Sequence, residues 1–273
     1  MKFALEAGPD TMNLAVELGI SGVPVNGAAV AADTEAALDP LRERGLKPCQ
    51  ISAFGYNPLQ DDATRAEPEA LVARLLELAP TIDGNPCVVI PGGNYNADAF
   101  GQTDPRNFGP EALRSLAERL GPLLDLAEKH GARLSIEPYL KGAMDSPERC
   151  RELAAVLNNP PALRFNLDPS SLYDFRDFVD PAPMVERVCS ILGPVAGVIH
   201  VKEVGLDKGF HLHAGLVPLG KGSTDWAAYL RQAGECVSSD TWVLLEHCLS
   251  AEEARSSVAC LRKAAAEAGV TLE

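Results

Sequence analysis

Residues 110–139 read PEALRSLAERLGPLLDLAEKHGARLSIEPY. Pro110 opens an amphipathic helix that runs to His130, and a cation in the last turn suits the negative end of the helix dipole. Gly131 supplies the left-handed residue that stops the helix. Only two residues later a β-rich run begins, Arg133 to Glu137, and it ends on a carboxylate. A helix, a tight glycine turn and a short apolar strand make one half of a βαβ unit.

The same unit recurs on both sides. Strands are predicted at residues 2–6, 21–25, 47–53, 87–91, 133–137, 162–168, 195–202 and 241–246. Helices are predicted between and after them at 11–18, 34–44, 68–78, 110–130, 147–157, 183–192, 226–234 and 251–268. Eight pairs in order, with no break in composition, predict an α/β fold: one (β/α)8 TIM barrel spanning residues 1–273. Gly19, Gly45 and Gly131 keep the helix-to-strand turns short. Three strand-to-helix loops are long, at 54–67, 91–109 and 203–225, and long structured loops of this kind are usually functional. In a barrel they emerge on the face that carries active sites. A doubly wound open sheet would instead carry a glycine-rich phosphate turn after its first strand, which Glu6-Ala-Gly-Pro does not supply.

Strands five to eight each end on a candidate ligand: Glu137 in RLSIEPY, Asp168 in LRFNLDPSS, His200 in GVIHVKE and Glu246 in WVLLEHC. Carboxyl ends of adjacent barrel strands converge, so residues 30–45 apart in sequence can share one ion. Three carboxylates and one imidazole suit a single divalent cation, Mn²⁺, Mg²⁺ or Co²⁺, better than a thiolate zinc site. Such an ion acts as a Lewis acid on a carbonyl and stabilises the enediolate left when a neighbouring C–H proton departs. A carboxylate must take that proton and a carboxylic acid must return one. Glu137 and Glu246 are placed to flank a substrate from two sides.

At these residues the chain resembles the xylose isomerase-like superfamily of sugar isomerases and epimerases, which also includes inosose dehydratases and endonuclease IV. The likeness lies in IEP, NLDPS, IHVKE and LLEH, in the spacing of His200 and Glu203, and in the stretch from Pro218 to Trp226. It implies metal ligation by Glu137, Asp168, His200 and Glu246, with Glu137 and Glu246 doubling as the acid/base pair. It implies a small carbohydrate substrate and a homodimer or homotetramer. The expected activity is therefore a metal-dependent isomerase or epimerase of a small sugar or keto-sugar; the alternative is a dehydratase or lyase of a 3-keto-glycoside or inosose using the same site. The chain departs from the ketose 3-epimerases at Ser171, where they have a histidine, and at Leu206, where they have an arginine.

Around this centre, Lys202, Glu203, His213, Asn94 and Glu6 are the candidate substrate-binding residues. Lys202 shares strand parity with His200 and either binds a substrate oxygen or pairs with an acid such as Glu203. Tyr56, Tyr95 and Phe100 are candidates for a lid or stacking wall. Trp226 is expected to pack, with Asp225 as a helix cap. His247 is expected to face the helices, and Arg133 and Arg164 to form an ion network at the barrel floor.

A net charge of −14, without a run of Lys or Arg to offset it, argues against a nucleic-acid partner. With only five histidines, it also argues against endonuclease IV-like cleavage. No apolar run reaches the ~20 residues that span a bilayer, and the first ten residues do not read as a secretory signal. Seven cysteines, an odd number without a CxxC pair, read as reduced thiols and a cytoplasmic location. A non-catalytic barrel that binds a ligand or partner is the remaining alternative.

Overall fold

The computed structural model describes residues 1–97 and 100–273. Its strands are β1 (Lys2–Leu5), β2 (Gly22–Asn26), β3 (Lys47–Ser52), β4 (Cys87–Pro91), β5 (Leu134–Glu137), β6 (Leu163–Leu167) and β7 (Ala196–Val201). A two-stranded insertion follows, β8 (Glu203–Leu206) with β9 (Ala214–Val217), and then β10 (Trp242–Leu245). Strands β1 to β7 and β10 close into a parallel barrel in which β10 pairs β1 from Lys2↔Trp242 to Leu5↔Leu245. The helices are α1 (Thr11–Glu17), α2 (Gly27–Ala32), α3 (Thr34–Arg42), α4 (Asp62–Leu78), α5 (Pro110–His130), α6 (Pro147–Val156), α7 (Ala182–Leu192), α8 (Trp226–Cys236) and α9 (Ala251–Ala268). The single-domain (β/α)8 expectation holds.

Two apolar layers hold the barrel. The outer one lies between strands and helices, where α5 buries Leu113, Leu116, Leu120, Leu123 and Leu124 on one face. Each such side chain stabilises the fold by about 1.5–3 kcal/mol relative to exposure. The inner one is small, Ala4, Cys49, Val198 and Leu244, with Trp242 packed against it. Below it Gly22 faces the Trp242 ring, where a Cβ would sit 2.4 Å from the indole. The β1–β2 seam carries one register pair, Ala4↔Gly22. It is reinforced by the last residue of the chain: Phe3 N–H donates to the Glu273 carbonyl (2.6 Å), Glu273 N–H to the Met1 carbonyl (3.0 Å) and Ser21 Oγ to the Glu273 carbonyl (3.1 Å).

Three elements differ from expectation. Helix α4 starts at Asp62, not at Pro68, because the Asp61 carboxylate caps it by accepting from the N–H groups of Ala63 (3.1 Å) and Thr64 (3.0 Å). That cap outweighs the preference of proline for a helix start. Helix α2 is an additional turn, capped by Asn26 accepting from Ala29 N–H. The seventh strand-to-helix loop is not irregular: it folds back as the β8–β9 hairpin, with Glu203↔Val217 and Leu206↔Ala214 in register. No helix among the described residues is long and apolar enough to cross a membrane.

Candidate metal centre

The period-2 alternation of a strand turns alternate side chains into the barrel. On β5 that set is Ser135 and Glu137; on β6 it is Asn166, with Asp168 just past the strand. On β7 it includes His200, and Glu246 follows β10. The structure brings Glu137, Asp168, His200 and Glu246 together, all four buried, with one ligand atom from each within 4.8 Å of the others. His200 Nδ1 lies 3.2 Å from Glu246 Oε2 and 3.6 Å from Glu137 Oε2.

The other ring nitrogen of His200 is held from below. His200 Nε2 lies 2.9 Å from Gln50 Oε1, an acceptor, which suits a proton on Nε2 and turns Nδ1 toward the cluster, where it would ligate an ion on giving up its own proton. Asn166 Nδ2 stands 3.2 Å from the same nitrogen, and the Asn166 carbonyl accepts from Ser135 Oγ at 2.7 Å. Asp168 is fixed similarly. Its Oδ1 accepts from Ser170 Oγ (2.9 Å) and Ser171 N–H (3.2 Å), and its Oδ2 from Ser171 Oγ (2.6 Å). Gln50 and Ser170 were not singled out from sequence; Gln50 lies within a register shift between β2 and β3 that breaks the strand alternation.

Lys202 stands inside the cluster. Its ammonium donates to Asp168 Oδ2 and to Glu246 Oε1 (2.6 Å) and lies 3.9 Å from Glu137 Oε1. Burial opposes its charge, but Asp168, Glu246 and Glu137 outweigh burial and push its pKa up. The two glutamates are driven apart. Burial lifts Glu137 to about 7, whereas His200 and Lys202 overcome burial at Glu246 and hold it well below the usual range. For His200, burial opposes the charge, but Glu246 and Glu137 raise it to about 9.

Two buried atoms in the cluster have no hydrogen-bond partner, Glu137 Oε2 and His200 Nδ1. Both are donor atoms for a cation, and an unpaired buried polar atom is costly unless something binds it. The residues therefore fit a divalent ion, with a hard-oxygen set plus one imidazole.

The mouth above the cluster is a cavity of about 360 Å³, lined by Glu6, Phe54, Phe100, Tyr139, Ser171 and His247 with Glu137, Lys202 and Glu246. Phe54 meets Phe100 edge-on at 6.1 Å, Phe100 meets Tyr139 at 5.7 Å, and Tyr139 Oη donates to the Phe100 carbonyl. Of the expected wall residues only Phe100 is there. Tyr56 is buried, its hydroxyl donating to Glu69, and the Tyr95 hydroxyl donates to Ser115 Oγ beneath Arg106. Phe54 and Tyr139 were missed; each sits just past a strand end. Burial first, then Glu246, raises the pKa of Glu6.

Other expected site residues are not brought to the mouth. Glu203 turns away from the mouth and accepts from Trp226 Nε1 (2.6 Å) and Gly220 N–H (3.2 Å), because strand alternation that points His200 and Lys202 inward points its neighbour outward. Trp226 packs as expected, and Asp225 caps α8. His213 lies at the hairpin end, 73% exposed and paired with Asp207. Asn94 is a buried cross-tie of the third and fourth loops. Its carbonyl accepts from Asn57 Nδ2 (2.8 Å), its Oδ1 from Asn107 Nδ2 (2.8 Å), and its Nδ2 donates to the Gln102 carbonyl (2.7 Å). His247 corrects an expectation in the other direction. Its φ of 59° is left-handed, so the chain turns and the imidazole lines the mouth, Nε2 3.6 Å from Glu246 Oε1. Arg133 and Arg164 form no ion network; among the described residues they donate only to carbonyls, those of Asn85 and Gly84 and those of Pro161 and Leu163.

Residues 5–264 match the family model described as xylose isomerase-like TIM barrel. No curated protein matches the sequence. Among solved structures, the chain is similar to 3-keto-D-glucoside 4-epimerase YcjR from E. coli, at 18% identity and TM-score 0.72 over 96% of this chain and 99% of that one. It is similar to a xylose isomerase-like TIM barrel protein from Mycobacterium smegmatis in complex with magnesium, at 20% identity and TM-score 0.69 over 93% and 88%. A third is the probable 3-DHS dehydratase AsbF from Bacillus anthracis, at 18% identity and TM-score 0.69 over 96% and 98%.

Proposed function

The chain belongs to the xylose isomerase-like TIM barrel family, and on that premise we propose that it is a divalent-metal-dependent isomerase or epimerase of a small sugar or keto-sugar. The observation that carries this reading is the convergence of Glu137, Asp168, His200 and Glu246 within 4.8 Å, two of them with orphaned donor atoms. Glu137, Asp168, His200 and Glu246 would hold one ion, Mn²⁺, Mg²⁺ or Co²⁺, which supplies Lewis acidity toward a carbonyl oxygen of the substrate.

The chain's own residues do the proton work. Glu137 and Glu246 form the acid/base pair, one taking a proton from the carbon next to the carbonyl and the other returning one; burial lifts Glu137 to about 7, the range in which a carboxyl serves in either role. Return from the opposite face inverts the carbon; return to its neighbour moves the carbonyl. Phe54, Phe100 and Tyr139 exclude water from one side, while Glu6 and His247 offer polar contacts to hydroxyls. The Lys202 ammonium neutralises Asp168 and Glu246 and competes with the ion for their oxygens.

A second reading, dehydratase or lyase of a 3-keto-glycoside or inosose, is favoured by one observation. Ser171 lines the mouth but donates to Asp168, and Leu206 pairs in the hairpin, so the histidine and arginine that ketose 3-epimerases carry at these positions have no counterpart here. Seven unpaired cysteines support a cytoplasmic location in this proposal. The expected homodimer or homotetramer stays part of it.

Incubating the Mn²⁺-loaded protein with 3-keto-glucosides and ketoses in D₂O, followed by mass spectrometry, tests both readings. One deuterium gained without loss of mass elsewhere marks isomerisation or epimerisation; loss of water or aglycone marks the alternative. Glu246→Gln and Glu137→Gln should keep the ion and lose roughly 10²–10⁴-fold in turnover. Full turnover in Glu246→Gln would overturn the assigned roles.

A further inference from the structure

A cavity of about 580 Å³ lies away from the metal centre, at the opposite end of the barrel. Lys2, Arg133, Arg164 and Trp242 line it, together with Cys87 and Gly197. These residues stand at the amino-terminal ends of β1, β5, β6, β10, β4 and β7, and Gly197 keeps it open beside Ser135 and Arg164, whose side-chain atoms a Cβ there would meet at 2.3 and 3.2 Å.

The cations in this cavity are under-used. Arg133 and Arg164 have no carboxylate partner among the described residues and are held only by backbone carbonyls. Arg133 Nε is buried without any partner. Among the described residues Lys2, 5.6 Å from the centre of the Trp242 ring, pairs only with the rim residue Asp240, at 3.3 Å across an 81% exposed carboxylate. Burial, and secondarily Arg133, depresses the pKa of Arg164, as expected of two guanidinium groups sharing one space. In a chain of net charge −14, half-buried arginines left without acids are unusual. The planar guanidinium fork matches the oxygens of a phosphate group in bidentate fashion, and an ammonium adds a point charge.

We propose that the barrel floor is a binding site for a small phosphate dianion, held by Arg133, Arg164 and Lys2. The dianion is either inorganic phosphate or the phosphate end of a metabolite. The site is separate from the metal centre, and its existence does not depend on the reaction proposed above.

Calorimetric titration of the metal-loaded protein with sodium phosphate, at constant ionic strength against chloride, tests it. Saturable heat is expected in the unaltered protein and in Asp168→Asn, with at least tenfold weaker affinity in Arg133→Gln and in Arg164→Gln. Lys2→Gln, which touches no loop carbonyl, should weaken binding several-fold and covers the case in which Arg133→Gln folds poorly. Glycerol 3-phosphate binding tighter than phosphate identifies a metabolite as the source; the reverse identifies the free ion. The absence of saturable heat overturns the site. So does unchanged affinity in Arg164→Gln and Lys2→Gln, or heat lost in Asp168→Asn alone, which would place the anion at the metal centre.

Discussion

Lys202 concentrates the electrostatics of the centre in one side chain. Glu137, Asp168 and Glu246 crowd into a buried space, and the ammonium among them offsets part of that charge. Removing one member of a buried ionic group usually costs about 3–5 kcal/mol, because the charges left behind are uncompensated. Lys202→Met should therefore lower the melting temperature of chelator-treated protein markedly. It should also tighten divalent-ion binding by at least tenfold, since the ion no longer displaces a resident cation from Asp168 Oδ2 and Glu246 Oε1. Chelator competition and differential scanning fluorimetry measure the two effects. Equal ion affinity in the variant would show that the ammonium and the ion do not compete. The strand-end acids were legible in sequence because alternation fixes the direction of a side chain while a strand stays regular. Parity also brought Lys202 inward. It failed where the backbone leaves that regime, at His247 with φ of 59°.

Among the elements, the strands were legible nearly to the residue, since short β-rich runs bounded by glycine and proline leave little choice. The loops were not. Asn57, Asn94 and Asn107 form a buried amide network that ties the third and fourth strand-to-helix loops together, and nothing in the spacing of three asparagines announces it. Asn107 Oδ1 also accepts from Tyr95 N–H, and its Nδ2 donates to the Lys141 carbonyl. Asn107→Ala leaves these groups unpaired, at about 1–3 kcal/mol for each one that water cannot reach. Amide exchange should quicken in residues 94–97 and 100–109 while β4 and β5 keep their protection. The aromatic wall at Phe100 should loosen with it, raising KM more than it lowers kcat. Unchanged exchange in the fourth loop would remove the network from any role in shaping the mouth.

Across the whole molecule, the two ends of the barrel are charged in opposite senses, acids above and unpaired arginines below, although the sequence shows only a net excess of acid. Lys2, Arg133 and Arg164 are far apart in the chain, and only closure of the barrel sets them side by side. A ligand that binds only the folded barrel stabilises all of it. A divalent ion at a hundred times its Kd should add about 2.7 kcal/mol, which raises the melting temperature by roughly 5–10 °C for a chain of this size. Chelation should reverse the gain, and a melting curve indifferent to metal and chelator alike would leave the cluster without its ion. The seam between β1 and β2 has the thinnest pairing in the barrel, yet it is where residues 271–273 lie alongside residues 1–3 in the same direction. Opposed forces along residues 1–3 and 271–273 would load those bonds in shear, all together rather than one after another. The weakest join of the barrel is thus the one that residues 271–273 rivet against sliding apart.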